Sequence, residues 1–125
     1  MDKSVFRVLR KKLQKTQRQM AQLLGVSLKA VHSYEQGWRA IPPAVERHVL
    51  FLVSLADPAA PMPPCWDLKG CSPEQRAGCP AAELNCGDMC WLVNGTISGG
   101  EDLGSWESKM AVCRACPVVR TRIPL

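Results

Sequence analysis

The first 55 residues carry apolar side chains at the three- and four-residue spacing of amphipathic helices. The first predicted helix spans residues 4–13. Another opens at Pro42 and Pro43, because proline fits the first turn of a helix. The apolar positions expected to face a core are Val5, Val8, Leu9, Met20, Leu23, Leu24, Val45, Val49, Leu52 and Val53. The pattern predicts a mainly α protein whose first domain occupies residues 1–55.

Capping residues mark two short helices between these. Thr16 and Gln19 can form a capping box, and Gly25 suits the left-handed position that ends such a helix. Ser27 can cap the next helix, which Gly37 ends. So short a connection forces the two helices to cross steeply, and this is the helix-turn-helix geometry.

The capped segment resembles a known family. Residues 16–43 read TQRQMAQLLGVSLKAVHSYEQGWRAIPP. They are similar to the phage-repressor (Cro and XRE type) helix-turn-helix domain, and the resemblance covers residues 4–55. The shared motifs are TQ at the start of the second helix, A-x-x-L-G-V-S across the turn and Y-E-x-G after the third helix. The resemblance implies a lambda-repressor-like helical bundle that binds double-stranded operator DNA as a homodimer.

The resemblance also implies roles for matching positions. The helix that starts at Ser27 would enter the major groove. Its residues expected to meet base edges are Leu28, Lys29, His32 and Ser33, and Ser27 is expected at the DNA interface as well. The residues expected to contact phosphates are Gln17, Arg18 and Arg39. Arg10 and Glu35 match a partly buried ion pair of this family, which braces the first helix against the third. Trp38 is expected to pack rather than to bind.

The distribution of charge also changes near residue 56, where the helical pattern ends. Residues 1–56 hold ten Lys and Arg against three acids, whereas residues 57–125 hold six against eight. This asymmetry indicates an anionic partner for the first half alone. The N-terminus lacks the apolar core of a signal peptide, and the longest apolar run, residues 49–53, is too short to span a bilayer. We therefore expect a cytoplasmic protein with no membrane partner.

Prolines separate the basic half from a cysteine-rich half. The sequence ADPAAPMPP, residues 56–64, predicts an extended linker, because proline fixes φ and lacks a backbone donor. Residues 65–125 are rich in Cys, Gly and Pro, and contain all seven cysteines. A segment of this size buries little apolar surface, so we expect a small irregular module that a metal holds together.

The candidate metal ligands are Cys65, Cys71, Cys79, Cys90, Cys113 and Cys116, with Cys86 as an additional candidate. Both histidines lie in the first half, so a metal site here is rich in thiolates. Such ligands suit zinc or an iron–sulfur cluster, and the spacing does not decide between them. Reversible thiol chemistry without a metal is a third reading.

The second half carries Cys-Trp at 65–66 and 90–91, Cys-Pro-Ala at 79–81, Gly-Gly at 99–100, Lys109 and C-x-x-C at 113–116. With these motifs it resembles the bacterial "two-CW" cysteine-rich module over residues 65–119. The module usually carries a cysteine before its Gly-Gly pair, where this chain has Ser98, and Cys86 lies outside the pattern. The sequence predicts a transcription regulator, not an enzyme, whose second half senses metal or redox state or mediates dimerisation. The alternatives are a thiol–disulfide oxidoreductase built on Cys113 and Cys116 and a zinc-stabilised interaction scaffold. No small-molecule substrate is indicated.

Overall fold

The computed structural model describes residues 1–56, 67, 70–86 and 89–122, without the side chains of 118, 121 and 122. The chain divides into two compact units, Met1–Pro58 and Ala59–Leu125. The described residues are mainly helical and include one two-stranded sheet, so the predicted mainly α class is confirmed. None of the described helices is long and apolar enough to cross a membrane.

Four helices build the first unit: α1 (Lys3–Lys12), α2 (Gln17–Leu24), α3 (Leu28–Gln36) and α4 (Pro43–Ala56). The first of them begins and ends one residue before the predicted 4–13. The last includes Ala56, which was assigned to the linker, because the helical hydrogen bonding continues to the described boundary. The remainder of the predicted linker lies outside the described residues.

The predicted caps of α2 and α3 are confirmed. The Thr16 hydroxyl accepts from the backbone N–H of Gln19, and the Gln19 side chain accepts in return from the backbone N–H of Thr16. The Ser27 hydroxyl accepts from the backbone N–H of Ala30 at 3.0 Å. Gly25 and Gly37 end the two helices at φ 67° and 79°, a conformation that costs a residue with a Cβ about 1–2 kcal/mol.

The core of the first unit differs from the predicted one at three positions. Val8 is 61% exposed and Leu23 is 42% exposed, so both were wrongly assigned to the core. Leu50 is wholly buried where Leu52 was expected. The reason on α1 is aromatic packing, since the helix turns the Phe6 ring inward to meet Tyr34 edge-on, with the ring centroids 5.9 Å apart. The buried apolar residues are Phe6, Leu9, Met20, Ala21, Leu24, Ala30, Val31, Tyr34, Val45, Val49, Leu50 and Val53.

The carboxylate of Glu35 joins α1, α2 and α3, and its side chain is fully buried. Arg10 donates to it from Nε and Nη2, at 2.8 Å for the shortest bond, so the predicted ion pair is confirmed. Gln17 Nε2 donates to the second oxygen at 3.0 Å, and Arg7 Nε lies 3.5 Å from the first. Arg10 Nη1 also donates to the carbonyl of Lys15, which ties the α1–α2 loop to the same network.

In the second unit, seven short elements lie within residues 70–86 and 89–122. They are α5 (Pro73–Ala77), α6 (Pro80–Glu83), α7 (Cys90–Val93), β1 (Ile97–Ser98), β2 (Glu101–Asp102), α8 (Trp106–Arg114) and α9 (Pro117–Arg122). Ser72 and Gln75 form a capping box on α5, and Ser105 caps α8. The two strands pair antiparallel, with Ile97 opposite Asp102 and Ser98 opposite Glu101. These elements form the small irregular part that the composition predicts.

The turn between β1 and β2 lies against α5. Gly99 and Gly100 both have positive φ, 61° and 82°, as a two-residue hairpin turn of the primed type requires. A Cβ on Gly100 would lie 2.8 Å from the backbone oxygen of Gln75. Below the turn, Asp102 accepts from the Thr96 hydroxyl and from the backbone N–H of Gly104. These bonds, the N–H of Gly104 first, lower the pKa of the Asp102 carboxyl.

Glu35→Gln is expected to lower the free energy of unfolding by about 3 kcal/mol, because it leaves the charge of Arg10 in a mostly buried place without its counter-ion. Urea denaturation of the full chain, followed by circular dichroism, measures the loss. Glu101→Gln, at an exposed position, is the control and should change stability by less than about 0.5 kcal/mol. Equal midpoints for Glu35→Gln and the wild type would contradict the assigned role.

Gly100→Ala should destabilise the second unit by at least about 1 kcal/mol more than Gly104→Ala, because a Cβ at 100 also displaces the backbone of α5. Gly104 is the matched control, since its φ is 85° and a Cβ there would meet nothing within 4 Å. Hydrogen exchange of the amides of residues 70–86 and 89–122 measures both. Equal losses of protection would show that the contact with Gln75 carries no energy.

Candidate functional site

The first unit presents the N-terminal half of α3 to solvent. Leu28, Lys29 and His32 are exposed, and so is Ser27, whose hydroxyl caps the helix. Leu28 and His32 are four residues apart and Lys29 and His32 are three apart, so the three lie on one side of the helix. Three of the four predicted base-reading positions, together with Ser27, are therefore exposed at the start of α3.

Ser33 does not belong to this surface. It is only 6% exposed, so the outward orientation predicted for it is wrong. The residue follows buried Ala30 by three positions and therefore lies on the inner side of α3. Its carbonyl accepts from the backbone N–H groups of Trp38 and Arg39, at 3.0 and 3.4 Å. The backbone carbonyl of Ser33 thus fixes the position of residues 38 and 39, which follow α3.

The three predicted phosphate contacts differ in their surroundings. Arg18 and Arg39 are exposed, and the guanidinium of Arg39 lies 5.7 Å from the centroid of the Tyr34 ring. Gln17 is half-buried, and its side-chain amide donates to Glu35. Its backbone N–H lies in the first turn of α2, where helical amides have no partner within the helix. That group can still meet an anion.

Trp38 is 71% exposed, against the expectation that it packs. Its indole meets the His32 ring edge-on, with the centroids 5.4 Å apart and the planes at 78°. The indole therefore continues the exposed surface of α3 past the end of the helix. Sequence reasoning missed this, since an aromatic residue after a helix is usually drawn inward.

The acids of residues 1–56 contribute little to the surface. The carboxylate of Glu35 is buried against Arg10, and that of Glu46 is buried 3.2 Å from the N-terminal ammonium. Asp2 alone is exposed, and the backbone N–H of Ser4 lowers the pKa of its carboxyl. Eight of the ten Lys and Arg are exposed, so the surface is more strongly positive than the composition indicates.

Five cysteines of the second unit surround one small cavity of about 20 Å³. Its described lining consists of Cys71, Arg76, Cys79, Cys90, Asn94, Ile97, Ser98, Gly99, Lys109, Cys113 and Cys116. The volume exceeds the roughly 10–15 Å³ that a single water molecule needs. Short elements far apart in sequence thus bring their thiols to one place.

The thiols differ in exposure. Cys90, Cys113 and Cys116 are buried, and Cys71 and Cys79 are half-buried. Cys90 and Cys116 form a packed cluster with Ala81, against which Cys79 lies. None of the six described cysteines is in a disulfide. Within the described residues, no three His, Cys, Asp or Glu side chains form a group that could hold a metal ion, and Cys65 lies outside that part of the chain.

Asn94 fixes one wall of the cavity. It is 7% exposed, its Oδ1 accepts from the backbone N–H of Ala81 at 2.8 Å, and its Nδ2 donates to the sulfur of Cys79 at 3.3 Å. One side chain therefore holds the start of α6 and orients the thiol before it. N–H donors of this kind orient thiolate ligands in metal sites.

Lys109 places a buried cation in the cavity wall. It is 1% exposed, and its Nζ donates to the carbonyls of Trp91 and Cys90 at 2.7 and 3.3 Å. The ammonium also lies 5.3 Å from the centroid of the Trp106 ring. Lysine is seldom fully buried, and a buried ammonium needs acceptors such as these two carbonyls.

Cys86 and Ser98 occupy different surroundings. The sulfur of Cys86 donates to the carbonyl of Leu84 at 3.3 Å, and Cys86 is not among the described residues that line the cavity. Ser98 does line it. Within the described residues, the structure therefore brings Ser98, and not Cys86, to the cavity that the five cysteines line.

No role was predicted from the sequence for two residues of this site, Lys109 and Asn94. Lys109 could have been recognised, because it occupies an apolar-face position among Trp106, Met110 and Cys113, where a lysine is unexpected. Asn94 precedes a glycine and has the pattern of a turn residue. Comparison of the chain with family models, with curated proteins and with solved structures found no match.

Proposed function

We propose that the first unit is a sequence-specific DNA-binding domain in which α3 enters the major groove. The observation that carries this proposal is the exposed side of α3 with Leu28, Lys29 and His32, on a surface whose acids are mostly buried. The major groove admits one α-helix, and the phosphates along it attract a positive surface.

Each exposed residue has a matching chemistry. Lys29 donates to the N7 and O6 acceptors of guanine, Leu28 packs on a thymine methyl group, and His32 reaches a base edge or the adjoining backbone. Arg18 and Arg39 contact phosphates on either side, together with the backbone N–H of Gln17. Ser33 is withdrawn from this set because it is buried.

The proposal extends to a transcription regulator that acts as a homodimer. One helical module makes a small DNA interface, so a second copy would raise both affinity and specificity. Two copies of α3 would lie about 34 Å apart, one turn of DNA, on an operator with two-fold symmetry. A change in the second unit that moved the copies would break this register. The sequence resemblance to phage repressors supports the same arrangement.

Lys29→Ala should remove about 1–3 kcal/mol of discrimination at one base pair of the operator. The operator is selected from random DNA with the purified full chain, and affinities are then measured for all single base-pair variants. Lys11→Ala, which removes the same charge from exposed α1, should leave the ranking of variants unchanged. An unchanged ranking for Lys29→Ala would contradict base reading by α3.

We further propose that the cysteine cavity holds one thiophilic metal ion, zinc in preference to an iron–sulfur cluster. The observation in its favour is a cavity lined by five cysteines, with Lys109 among the other lining residues. Thiolates are the usual ligands of a structural zinc ion in a small domain, and this favours zinc. The described thiols would have to close around the ion, drawn from Cys71, Cys79, Cys90, Cys113 and Cys116. Zinc there would cross-link the short elements.

Thiol–disulfide exchange at Cys113 and Cys116 is the weaker alternative. An exchanging thiol needs a reactive thiolate that a substrate can reach. The two cysteines are 5% and 7% exposed, so neither presents its sulfur to a protein substrate. A zinc-stabilised interaction scaffold shares the metal chemistry and differs only in its partner.

Cys90→Ser should lose the bound metal, whereas Cys86→Ser should keep it, because Cys90 lines the cavity and Cys86 does not. Elemental analysis of protein purified without oxygen measures the content, and circular dichroism checks that both variants fold. Colourless protein with one zinc per chain is the expected result. Brown protein with iron and sulfide would overturn the choice of zinc, and full zinc in Cys90→Ser would overturn the site.

A further inference from the structure

Trp38 is the most exposed of the large hydrophobic side chains in the described residues, at 71%. Its neighbours hold it in place. The backbone N–H of Trp38 donates to the carbonyl of Ser33 at 3.0 Å, and its indole rests edge-on against the His32 ring. Tryptophan is enriched at binding surfaces, because it offers a large apolar ring together with an N–H donor.

The charges around Trp38 indicate the kind of partner. His32 contacts the indole and lies on the same exposed side of α3 as Lys29 and Leu28, and Arg39 follows Trp38 directly in the chain. The contact surface thus combines one flat apolar ring, one N–H donor and exposed cations. Two copies of this chain meeting through the surface would bring Lys29 and Arg39 close to their own counterparts, and like charges disfavour such an interface.

We propose that Trp38 binds the sugar–phosphate backbone of the operator beside the groove that α3 enters. The ring packs on a deoxyribose, and Nε1 donates to a phosphate oxygen while Arg39 binds the neighbouring phosphate. His32 positions the indole and links this backbone contact to the bases that Lys29 reads. The inference rests on the proposed DNA-binding function and adds a contact that does not depend on base sequence.

Trp38→Ala, Trp38→Phe and the control Val8→Ala, which truncates an exposed apolar residue of α1, test this in the full chain. Fluorescence anisotropy gives the affinity of each for the selected operator and for an unrelated duplex. Trp38→Ala should weaken both by on the order of tenfold, because backbone contacts carry no sequence information. Trp38→Phe should lose less, since it keeps the ring, and Val8→Ala should bind like the wild type.

Wild-type affinity of Trp38→Ala for both duplexes would overturn the inference, and wild-type affinity of Trp38→Phe would overturn the hydrogen bond to phosphate. Analytical ultracentrifugation without DNA tests the alternative partner of Trp38, which is a second copy of the chain. If Trp38→Ala turns a dimer into a monomer, the indole covers a second copy and the inference is wrong. Failure of the proposed DNA-binding function gives a different result from failure of this inference, because the wild-type protein would then bind all duplexes with similar affinity.

Discussion

The surface that the first unit offers to a partner depends on one buried carboxylate. Glu35 gathers Arg10, Arg7 and Gln17 from α1 and α2 onto the inner side of α3. These bonds hold α3 in place and remove one of three acids from the surface. Because the second, Glu46, is buried as well, the basic residues face solvent with little opposing charge. A single interaction thus orients the candidate reading helix and strengthens its positive field.

A buried charge of the opposite sign organises the second unit. The Lys109 ammonium reaches from α8 to two carbonyls of α7 and so fixes the helix that carries Cys90. Asn94 ties α6 to the same region and orients Cys79. The Gly-Gly turn allows β1 and β2 to lie on α5, which brings Ser98 to the cavity. Elements too short to form a large core are thus joined by the hydrogen bonds of Lys109 and Asn94. Five cysteines and Lys109 line the cavity between these elements.

Features that depend on neighbours in the chain were the ones that could be predicted. The capping box at Thr16 and the left-handed glycines at 25 and 37 follow from hydrogen bonds within a few residues. The Arg10–Glu35 pair was found through a resemblance and not through spacing. The errors arose at Val8, Leu23, Ser33 and Trp38, where the question was which side chains face inward. The helical period shows which residues share one side of a helix, but the packing partner decides which side is buried. On α1 the contact between Phe6 and Tyr34 makes this choice.

The sequence by itself determined the mainly helical class, the caps of α2 and α3 and the contrast between a basic half and a cysteine-rich half. These properties depend on residues that are close in sequence or on composition, so they can be predicted without knowing the tertiary structure. Only the tertiary structure decided that five cysteines surround one cavity with Lys109 and Ser98, that Cys86 is outside its described lining and that Trp38 stands exposed beside His32. Such contacts depend on how several short elements pack against one another, and the spacing of residues along the chain does not give their distances in space.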